Sequence, residues 1–401
     1  MSKDIERKLD RVLNELEFIK NRLSIRIGGG TSLTYLLDET PIYVNEDDFG
    51  CAADVINGGA YEEENIWVLR SFLEPGTVFI DAGANIGVFT IRLAPRIKTG
   101  KVLAFEPHPR LFELLQRNVY LNGCAGVTEA RQAGLSDKNS RESLYVPEFS
   151  VGGGTITPAR PAEAYAEQIS CEFHRLDDVV SPDFTCDIVK LDVEGNECAA
   201  LDGMRKLLQR SASKVKILFE KLGATTDGRH ERTYAFMKEL GLAIYLVQPP
   251  YVLVPADRNQ FMATSGYYLA ARSDRVEPRR SRGFFSIYPA QLNLVMSHRV
   301  DTSGRVVIQG TGPSGALIFH GPYWHLPRGR YDIRFIGATR SPLELTVVER
   351  FGYGVTSIPY AAYQQKVSFT NERDLMKFEI VARSASMHVD LELERIEMER
   401  L

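Results

Sequence analysis

The sequence predicts an α/β fold with a doubly wound parallel sheet, followed by a smaller β-sandwich. Apolar runs of strand length alternate with helical patterns over residues 61–271, which is typical of a parallel sheet covered by helices on both faces. After a segment rich in arginine at 273–284, short β-branched runs follow one another with turns and no helical pattern between them. That second pattern is typical of a jelly-roll-like sandwich.

We therefore expect four parts along the 401 residues. They are a short coiled-coil-like amphipathic helix over 1–27, the α/β domain over 28–272, a solvated linker over 273–284 and the sandwich over 285–401. In the first part, apolar residues repeat at a and d heptad positions: Ile5, Leu9, Val12, Leu16, Ile19 and Leu23. So short a helix either docks on its own globule or self-associates, which would give a homo-oligomer through residues 4–23. The glycines at 28–30 are expected to end the helix and act as a hinge.

The elements of the α/β domain follow from periodicity and turn residues. Strands are expected at 78–81, 101–106, within 126–135, and at 186–192, 215–220, 242–247 and 266–271. Helices are expected at 61–73, from the end of the first strand to about 95, and at 109–121, 197–209 and 229–240. Residues 40–60 indicate short strands and turns, whereas the glycines and prolines of 142–171 indicate an irregular excursion.

The charge, the apolar runs and the cysteines of the sequence exclude several classes of protein. The net charge of -4 gives no reason to expect nucleic acid as a partner, and no apolar run reaches the length of a membrane span. The five cysteines contain no C-x-x-C pair, so they favour reduced thiols over disulfides or a zinc site. With no signal-peptide pattern at the start, we expect a cytoplasmic location.

A glycine-rich turn follows the first strand and is the strongest local signal. Asp81 ends the strand, and Gly83, Asn85 and Gly87 lead directly into a helical pattern. Such turns bring backbone N–H groups to a ligand at the carboxyl edge of a sheet. The spacing lacks two glycines of the dinucleotide fingerprint G-x-G-x-x-G, and Asp81 would repel a pyrophosphate. A cationic nucleoside without phosphate suits the turn better, and S-adenosylmethionine is the obvious candidate.

Acids follow the neighbouring strands at the same edge. Glu106 and Asp192 end the second and fourth strands, and Asp137 lies next to the end of the third. We expect Glu106 to bind ribose hydroxyls, as the equivalent acid does in dinucleotide folds, and Asp137 to accept from an adenine amino group. Each acid alone could also be a strand-end cap.

Four ordered motifs resemble the FkbM family of S-adenosylmethionine-dependent methyltransferases of class I. They are VFIDAGANIGVFT at 78–90, AFEP at 104–107, NVYLNG at 118–123 and KLDVEGNE at 190–197. The resemblance implies O-methylation of a hydroxyl, most often on a sugar of a polysaccharide, glycolipid or natural product. It also implies that Asp81, Gly83, Asn85, Gly87 and Glu106 hold the cofactor. Because Tyr61 and Glu62 resemble a further family segment, Glu62 is expected to close over the methionine end.

Methyl transfer to a hydroxyl requires a group that takes up its proton. Asp192, Glu194 and Glu220 are the acids at the strand ends nearest the expected acceptor side. Glu194 is the first choice for the base, since Asp192 could instead bind the methionine amino group. Glu194 could equally be a helix N-terminal acid, and His174 is an outside candidate. A divalent metal on these three acids is conceivable, but the sequence has no diagnostic ligand spacing, so no metal is predicted.

The sandwich carries aromatic and histidine residues near its turns, which either stack on sugar faces or pack in the core. They are Tyr323, Trp324, His325, Tyr331, Phe351, Tyr353 and Tyr360. The leading hypothesis is a sugar O-methyltransferase whose sandwich recognises a glycan or a partner. The alternative is a non-catalytic carbohydrate-binding or scaffolding protein that has lost turnover, while an NAD-dependent oxidoreductase is disfavoured by the missing glycines.

Overall fold

The structure is a computed structural model that describes residues 24–401. It leaves gaps at 37, 39, 159, 224–226, 249–251, 277–284, 288, 290–291, 302–304, 327–328, 350–352, 361–365 and 372–374. The predicted heptad segment at 4–23 and most of the predicted linker lie outside the described residues.

The described chain begins with a small antiparallel sheet of three strands, in the order β1-β2-β3. Its strands are β1 (Ile25–Gly28), β2 (Thr31–Tyr35) and β3 (Pro41–Asn45). The prediction of a glycine hinge is therefore wrong: residues 28–30 connect β1 to β2 as a hairpin, and residues 25–27 are strand rather than helix. Helix α1 (Cys51–Gly58) occupies a stretch expected to form only strands and turns, whereas α2 (Glu63–Arg70) agrees with its prediction.

The first half of the α/β domain follows the expected alternation. Its elements are β4 (Val78–Ala82), α3 (Val88–Ile97), β5 (Lys101–Phe105), α4 (Pro109–Leu121) and β6 (Thr128–Arg131). The start of α4 is well specified, because Pro109 occupies its first turn and the side chain of His108 caps two of its backbone N–H groups.

The expected irregular excursion at 142–171 is only partly irregular. After β7 (Gly134–Leu135), the strands β8 (Ser140–Val146) and β9 (Glu167–His174) pair in antiparallel fashion, and β9 also pairs with β7. The connection between β8 and β9 contains two short 3₁₀ turns, Val151–Gly153 and Ala162–Ala164, and the helix α5 (Leu176–Val179) follows β9. Distant pairing of this kind leaves little local signal, which explains why the strand prediction missed it.

The second half of the domain contains more elements than expected. They are β10 (Ile188–Leu191), α6 (Glu197–Gly203), α7 (Arg205–Ser211), β11 (Lys216–Lys221), α8 (Arg229–Glu239), β12 (Ala243–Gln248), β13 (Val252–Pro255), α9 (Arg258–Ala263) and β14 (Gly266–Ala271). The single helix predicted at 197–209 is two helices that meet at Met204, and β13 and α9 were not predicted.

These strands form one eight-stranded sheet in the order β13-β12-β14-β11-β10-β4-β5-β6. The five strands from β11 to β6 are parallel, which confirms the doubly wound core, whereas β14 pairs antiparallel to both β11 and β12. Apolar clusters cover both faces of the sheet. The chain order reverses between β4 and β10, and open α/β sheets bind ligands at the carboxyl edge of such a point.

The carboxyl-terminal part is the expected β-sandwich. Its strands are β15 (Phe285–Ile287), β16 (Asn293–Leu294), β17 (His298–Val300), β18 (Val306–Thr311), β19 (Leu317–His320), β20 (Pro322–Leu326), β21 (Gly329–Thr339), β22 (Leu343–Glu349), β23 (Tyr353–Tyr360), β24 (Lys366–Asn371), β25 (Leu375–Ser384) and β26 (His388–Arg400). They form two sheets of six strands around a shared apolar core. Within the described residues, no helix combines the length and apolar character needed to cross a bilayer.

One predicted sugar-stacking residue of the sandwich belongs to this core. Tyr331 is 1% exposed and stacks on Phe369, with ring centroids 5.6 Å apart. Phe351 lies outside the described residues. Core packing, the second of the two expected roles, is therefore the role of Tyr331.

Candidate active site

A cavity lies at the carboxyl edge of the parallel strands and encloses about 1100 Å³, counted with its open mouth. The glycine turn after β4 lines one side of it, and the residues after β5 and β10 line two others. The segments at 50–61 and 150–156 complete the wall. Its lining includes Gly50, Cys51, Asp54, Tyr61, Gly83, Ala84, Asn85, Glu106, His108, Val151, Gly152, Phe173, Lys190, Asp192 and Glu194.

The glycine turn is shaped by close approach as well as by backbone conformation. Gly83 has a φ of 76°, and a Cβ atom on it would lie 1.7 Å from the backbone oxygen of Asp192. Asn85 has a φ of 52°, and its Oδ1 accepts from the backbone N–H of Ile86 at 2.8 Å. Gly87, with a φ of 90°, precedes α3 and faces Leu115 rather than the cavity. The turn therefore presents Gly83 and Asn85 to a ligand, while Gly87 serves packing.

Glu106 lies where a ligand with hydroxyl groups would meet it. Its Oε2 accepts from the N–H of Asn85 at 2.8 Å, and its Oε1 accepts from the N–H of His108 at 2.9 Å. Burial raises the pKa of Glu106 to about 7, although both N–H groups favour the charged form. Two fixed oxygens with spare lone pairs fit a pair of vicinal hydroxyls.

Asp81 lies beneath the cavity rather than in its lining. It is fully buried, and its Oδ2 accepts from the hydroxyl of Thr90 at 2.7 Å. Its Oδ1 has no hydrogen-bond partner in the part of the chain that the structure describes. Burial raises the pKa of this carboxyl, so a donor or cation brought by a ligand would stabilise its charged form.

Sequence reasoning missed the role of Lys190, although a lysine within an apolar strand is a detectable signal. Its side chain is 6% exposed, and its Nζ donates to the backbone oxygen of Gly83 at 2.8 Å and lies 3.2 Å from Oδ2 of Asp192. The hydroxyl of Tyr267 donates to the same Oδ2 at 3.2 Å. Lys190 thus joins the glycine turn to the end of β10.

Glu62 belongs to the same group but does not line the cavity. It adopts a left-handed conformation before α2, with a φ of 49°, and its Oε2 accepts from Nδ2 of Asn65 at 2.9 Å. Burial and the neighbouring Asp192 raise the pKa of Glu62. Its neighbour Tyr61 is the residue of this segment that reaches the cavity.

Glu194 lines the cavity and has the features of a functional carboxyl. Its φ is 51°, a conformation that non-glycine residues rarely adopt and that often marks functional sites. Burial, together with Asp192 and Glu197, raises its pKa to about 7. The structural role expected of a helix N-terminal acid falls to Glu197 instead, whose Oε1 accepts from the N–H groups of Val193 and Gly195 at 3.3 and 3.0 Å.

Three other predicted residues lie outside the lining. Glu220 borders a smaller neighbouring pocket, where burial and the nearby Asp192 raise its pKa to about 8. Asp137 is exposed: the edge strand β6 of the large sheet ends at Arg131, and Asp137 follows a strand of a different sheet. His174 lies at the end of β9, away from the lining. Among the described residues, no group of three or more His, Cys, Asp or Glu side chains is arranged to hold a metal ion.

The charge of the lining fits S-adenosylmethionine. Four carboxyl groups line the cavity, and Lys190 is the lysine or arginine that lines it among the described residues. An excess of acid suits a ligand with a sulfonium and an ammonium group and disfavours a pyrophosphate.

Comparisons with known proteins match part of the α/β domain to a family model. The family model described as the methyltransferase FkbM domain matches residues 81–242. The curated relatives include Methyltransferase sdnD of Sordaria araneosa, 32% identical over 160 residues that cover 32% of this chain and 61% of that protein. Hexuronic acid methyltransferase AglP of Haloferax volcanii is 30% identical over 149 residues, which cover 37% of this chain and 58% of that protein. The chain thus spans less than two thirds of either relative.

Solved structures with similar folds have lower identity. Methyltransferase FkbM from Methylobacillus flagellatus KT is 16% identical with a TM-score of 0.32, and the match covers 56% of this chain and 60% of that chain. A SAM-dependent O-methyltransferase from Thermotoga maritima is 15% identical with a TM-score of 0.32, covering 65% of this chain and 98% of that chain.

Proposed function

We propose, from the premise that residues 81–242 belong to the FkbM methyltransferase family, that the protein is an O-methyltransferase that uses S-adenosylmethionine. Its acceptor in this proposal is a sugar hydroxyl of a glycan, a glycolipid or a natural-product glycoside. The observation that carries the proposal is that one cavity is lined both by Glu106, beside the glycine turn, and by Asp192 and Glu194 after β10.

The cofactor would lie against the glycine turn. Glu106 would accept from its ribose hydroxyls, and Asp192 would face its ammonium group, with Lys190 and Tyr267 holding the Asp192 carboxyl in position. When bound, S-adenosylmethionine supplies a methyl group on a sulfonium, a good leaving group for transfer to oxygen. The chain itself must orient the acceptor, exclude water and accept a proton.

Glu194 is the proposed base. A carboxyl whose pKa is raised to about 7 is partly ionised at neutral pH and a stronger base than an ordinary glutamate. Asp192 is already engaged with Lys190 and Tyr267, and Glu220 borders a different pocket. Of the three predicted acids, Glu194 therefore has the best access to an acceptor in the cavity.

The choice of a sugar rests on one relative and on the family resemblance. One relative is named a hexuronic acid methyltransferase, and the family resemblance favours sugar hydroxyls. The five cysteines are free thiols, which agrees with a reaction in the cytoplasm.

A screen with labelled S-adenosylmethionine tests the proposal. The full chain is incubated with nucleotide sugars, oligosaccharides and lipid-linked glycans, and label in the acceptor is measured. We expect transfer to at least one sugar class. Cofactor binding without transfer to any acceptor would favour the alternative, a non-catalytic carbohydrate-binding or scaffolding protein.

Glu194→Gln tests the base. We expect the variant to bind S-adenosylmethionine with unchanged affinity by calorimetry, and to lose at least about a hundredfold in kcat, since a positioned base contributes about that factor or more. Asp137→Asn is the matched control, because this exposed acid is outside the cavity lining. Normal turnover in Glu194→Gln would remove Glu194 as the base.

A further inference from the structure

Among the residues that the structure describes, the cavity lining offers no free cation to an acceptor. The carboxyl groups of Asp54, Glu106, Asp192 and Glu194 line it. Lys190 is already bonded to the backbone oxygen of Gly83 and paired with Asp192. Glu106 and Glu194 are about half ionised at neutral pH, since the pKa of each is raised to about 7, yet the lining still carries more negative charge than Lys190 and the net positive charge of S-adenosylmethionine offset.

The histidine of the lining does not change this balance. Nδ1 of His108 accepts from the backbone N–H groups of Arg110 and Leu111 at 3.2 and 3.5 Å, so this nitrogen carries no proton. Burial also lowers the pKa of His108. Its ring thus acts as a neutral helix cap at the cavity wall.

Two exposed phenylalanines lie next to the cavity lining. Phe49 and Phe149 are 68% and 61% exposed, and each directly precedes a lining residue, Gly50 and Ser150 respectively. Their rings meet edge to face, with centroids 5.8 Å apart, and the N–H of Phe49 donates to the backbone oxygen of Phe149 at 3.0 Å. Exposed aromatic rings that are fixed in this way form an apolar platform beside the acidic cavity.

The platform is connected to the proposed base through the segment that carries Phe149. A Cβ atom on Gly152 would lie 2.3 Å from Nδ2 of Asn85, so this segment approaches the glycine turn closely. Further along, the hydroxyl of Thr155 donates to the backbone oxygen of Glu194 at 2.8 Å. The segment from Phe149 to Thr155 therefore contacts the glycine turn, the backbone of Glu194 and the ring of Phe49.

We propose that the acceptor is a sugar without an anionic group near the reacting hydroxyl, and that the apolar face of its ring stacks on Phe49 and Phe149. This inference rests on the proposed function and narrows it to uncharged sugar rings, which sets this chain apart from the relative named a hexuronic acid methyltransferase. Uronic acids and sugar phosphates would bring a negative charge against uncompensated carboxyl groups, which is costly at a desolvated site.

Matched acceptors test the charge part of the inference. The acceptor found in the labelled screen is compared with its counterpart that differs only at C6, where one carries a hydroxymethyl group and the other a carboxylate. We expect kcat/KM to be at least about tenfold higher for the uncharged member. Equal or faster transfer to the carboxylate would overturn this inference but leave the proposed function intact. Absence of transfer to any sugar, with the cofactor bound, would overturn both.

Variants of the platform test the stacking part. The double variant Phe49→Ala with Phe149→Ala should raise the KM for the acceptor roughly tenfold, while the Kd for S-adenosylmethionine stays the same. Replacing either alanine by tryptophan should restore the KM. Tyr120→Ala is the control, since Tyr120 is 82% exposed on α4 and outside the lining. An unchanged acceptor KM in the double variant, or a change confined to cofactor affinity, would overturn the platform.

Discussion

Glu106 combines two opposing influences on a single carboxyl. It is 6% exposed, and burial outweighs the two backbone N–H groups that stabilise its charge, which raises its pKa to about 7. Without a ligand, the folded protein therefore holds a costly ionisable group at the cavity wall. Such a group is common at functional sites, where a bound ligand supplies the missing interactions.

This balance predicts a pH-dependent stability. An acid whose pKa is higher in the folded than in the unfolded state loses folded-state stability as pH rises through the folded pKa, here about 7. Glu106→Gln does not titrate. We therefore subtract the Tm of Glu106→Gln from that of the wild type, both measured without cofactor. This difference should fall by about a few degrees between pH 5 and pH 8, the size of Tm shift that a few kcal/mol produces in a chain of this length.

The control for this measurement is Glu163→Gln, which removes an exposed carboxyl outside the cavity lining. The effect of Glu106 is the change with pH that Glu106→Gln shows beyond this control. A pH-independent difference for Glu106→Gln would contradict the raised pKa.

The sequence predicted the position of an acid at the cavity edge where that acid follows a central strand. Glu106, Asp192 and Glu194 all line the cavity, as their positions after β5 and β10 indicate. Asp137 does not, because its strand belongs to another sheet. The role of Lys190 was not predicted, because only the packing shows that its Nζ donates to the backbone oxygen of Gly83.

At the scale of elements, the turn between β4 and α3 is fixed by contact with the end of β10. Gly83 needs both a positive φ and room for the backbone of Asp192. The sequence predicted the turn from its glycines, but the need for a close approach to β10 follows only from the parallel pairing of β10 with β4. The pairing of β8 with β9 was missed for the same reason.

A pair of alanine substitutions separates these two demands on glycine. Gly123 also has a positive φ, 65°, but a Cβ atom on it would meet nothing within 4 Å. Gly123→Ala should therefore cost about 1 kcal/mol in the free energy of unfolding, the price of the backbone conformation alone. Gly83→Ala should cost several times as much and abolish cofactor binding, because its Cβ would overlap a backbone oxygen. Equal losses in chemical denaturation would contradict a close approach at Gly83.

For the whole molecule, the family and the two-part architecture were predictable from the sequence, whereas the docking of the parts was not. The match of the FkbM methyltransferase model to residues 81–242 confirms the predicted resemblance for that part of the chain. Self-association through residues 4–23 stays a prediction. The side chain of Trp67, on α2, belongs to the apolar core of the sandwich, which sequence periodicity cannot indicate.

Helix α2 thus contributes to two cores. Trp67 is 2% exposed and packs with the sandwich, whereas Leu69, two residues later, is fully buried in the core of the α/β domain. Since α2 begins next to Tyr61 and Glu62, the sandwich is packed against the helix that leads to the cavity. The sandwich is therefore more than an independent module on a linker.

This shared helix makes a testable distinction between neighbouring residues. Trp67→Ala should lower the free energy of unfolding by about 3–5 kcal/mol and speed amide hydrogen exchange in the sandwich strands β21 and β26. Leu69→Ala should lower it by about 2–5 kcal/mol but speed exchange in α3 and the central sheet instead. Because the two substitutions lie on the same helix, general loss of helical structure would affect both regions equally. Unchanged exchange in the sandwich of Trp67→Ala would contradict the docking.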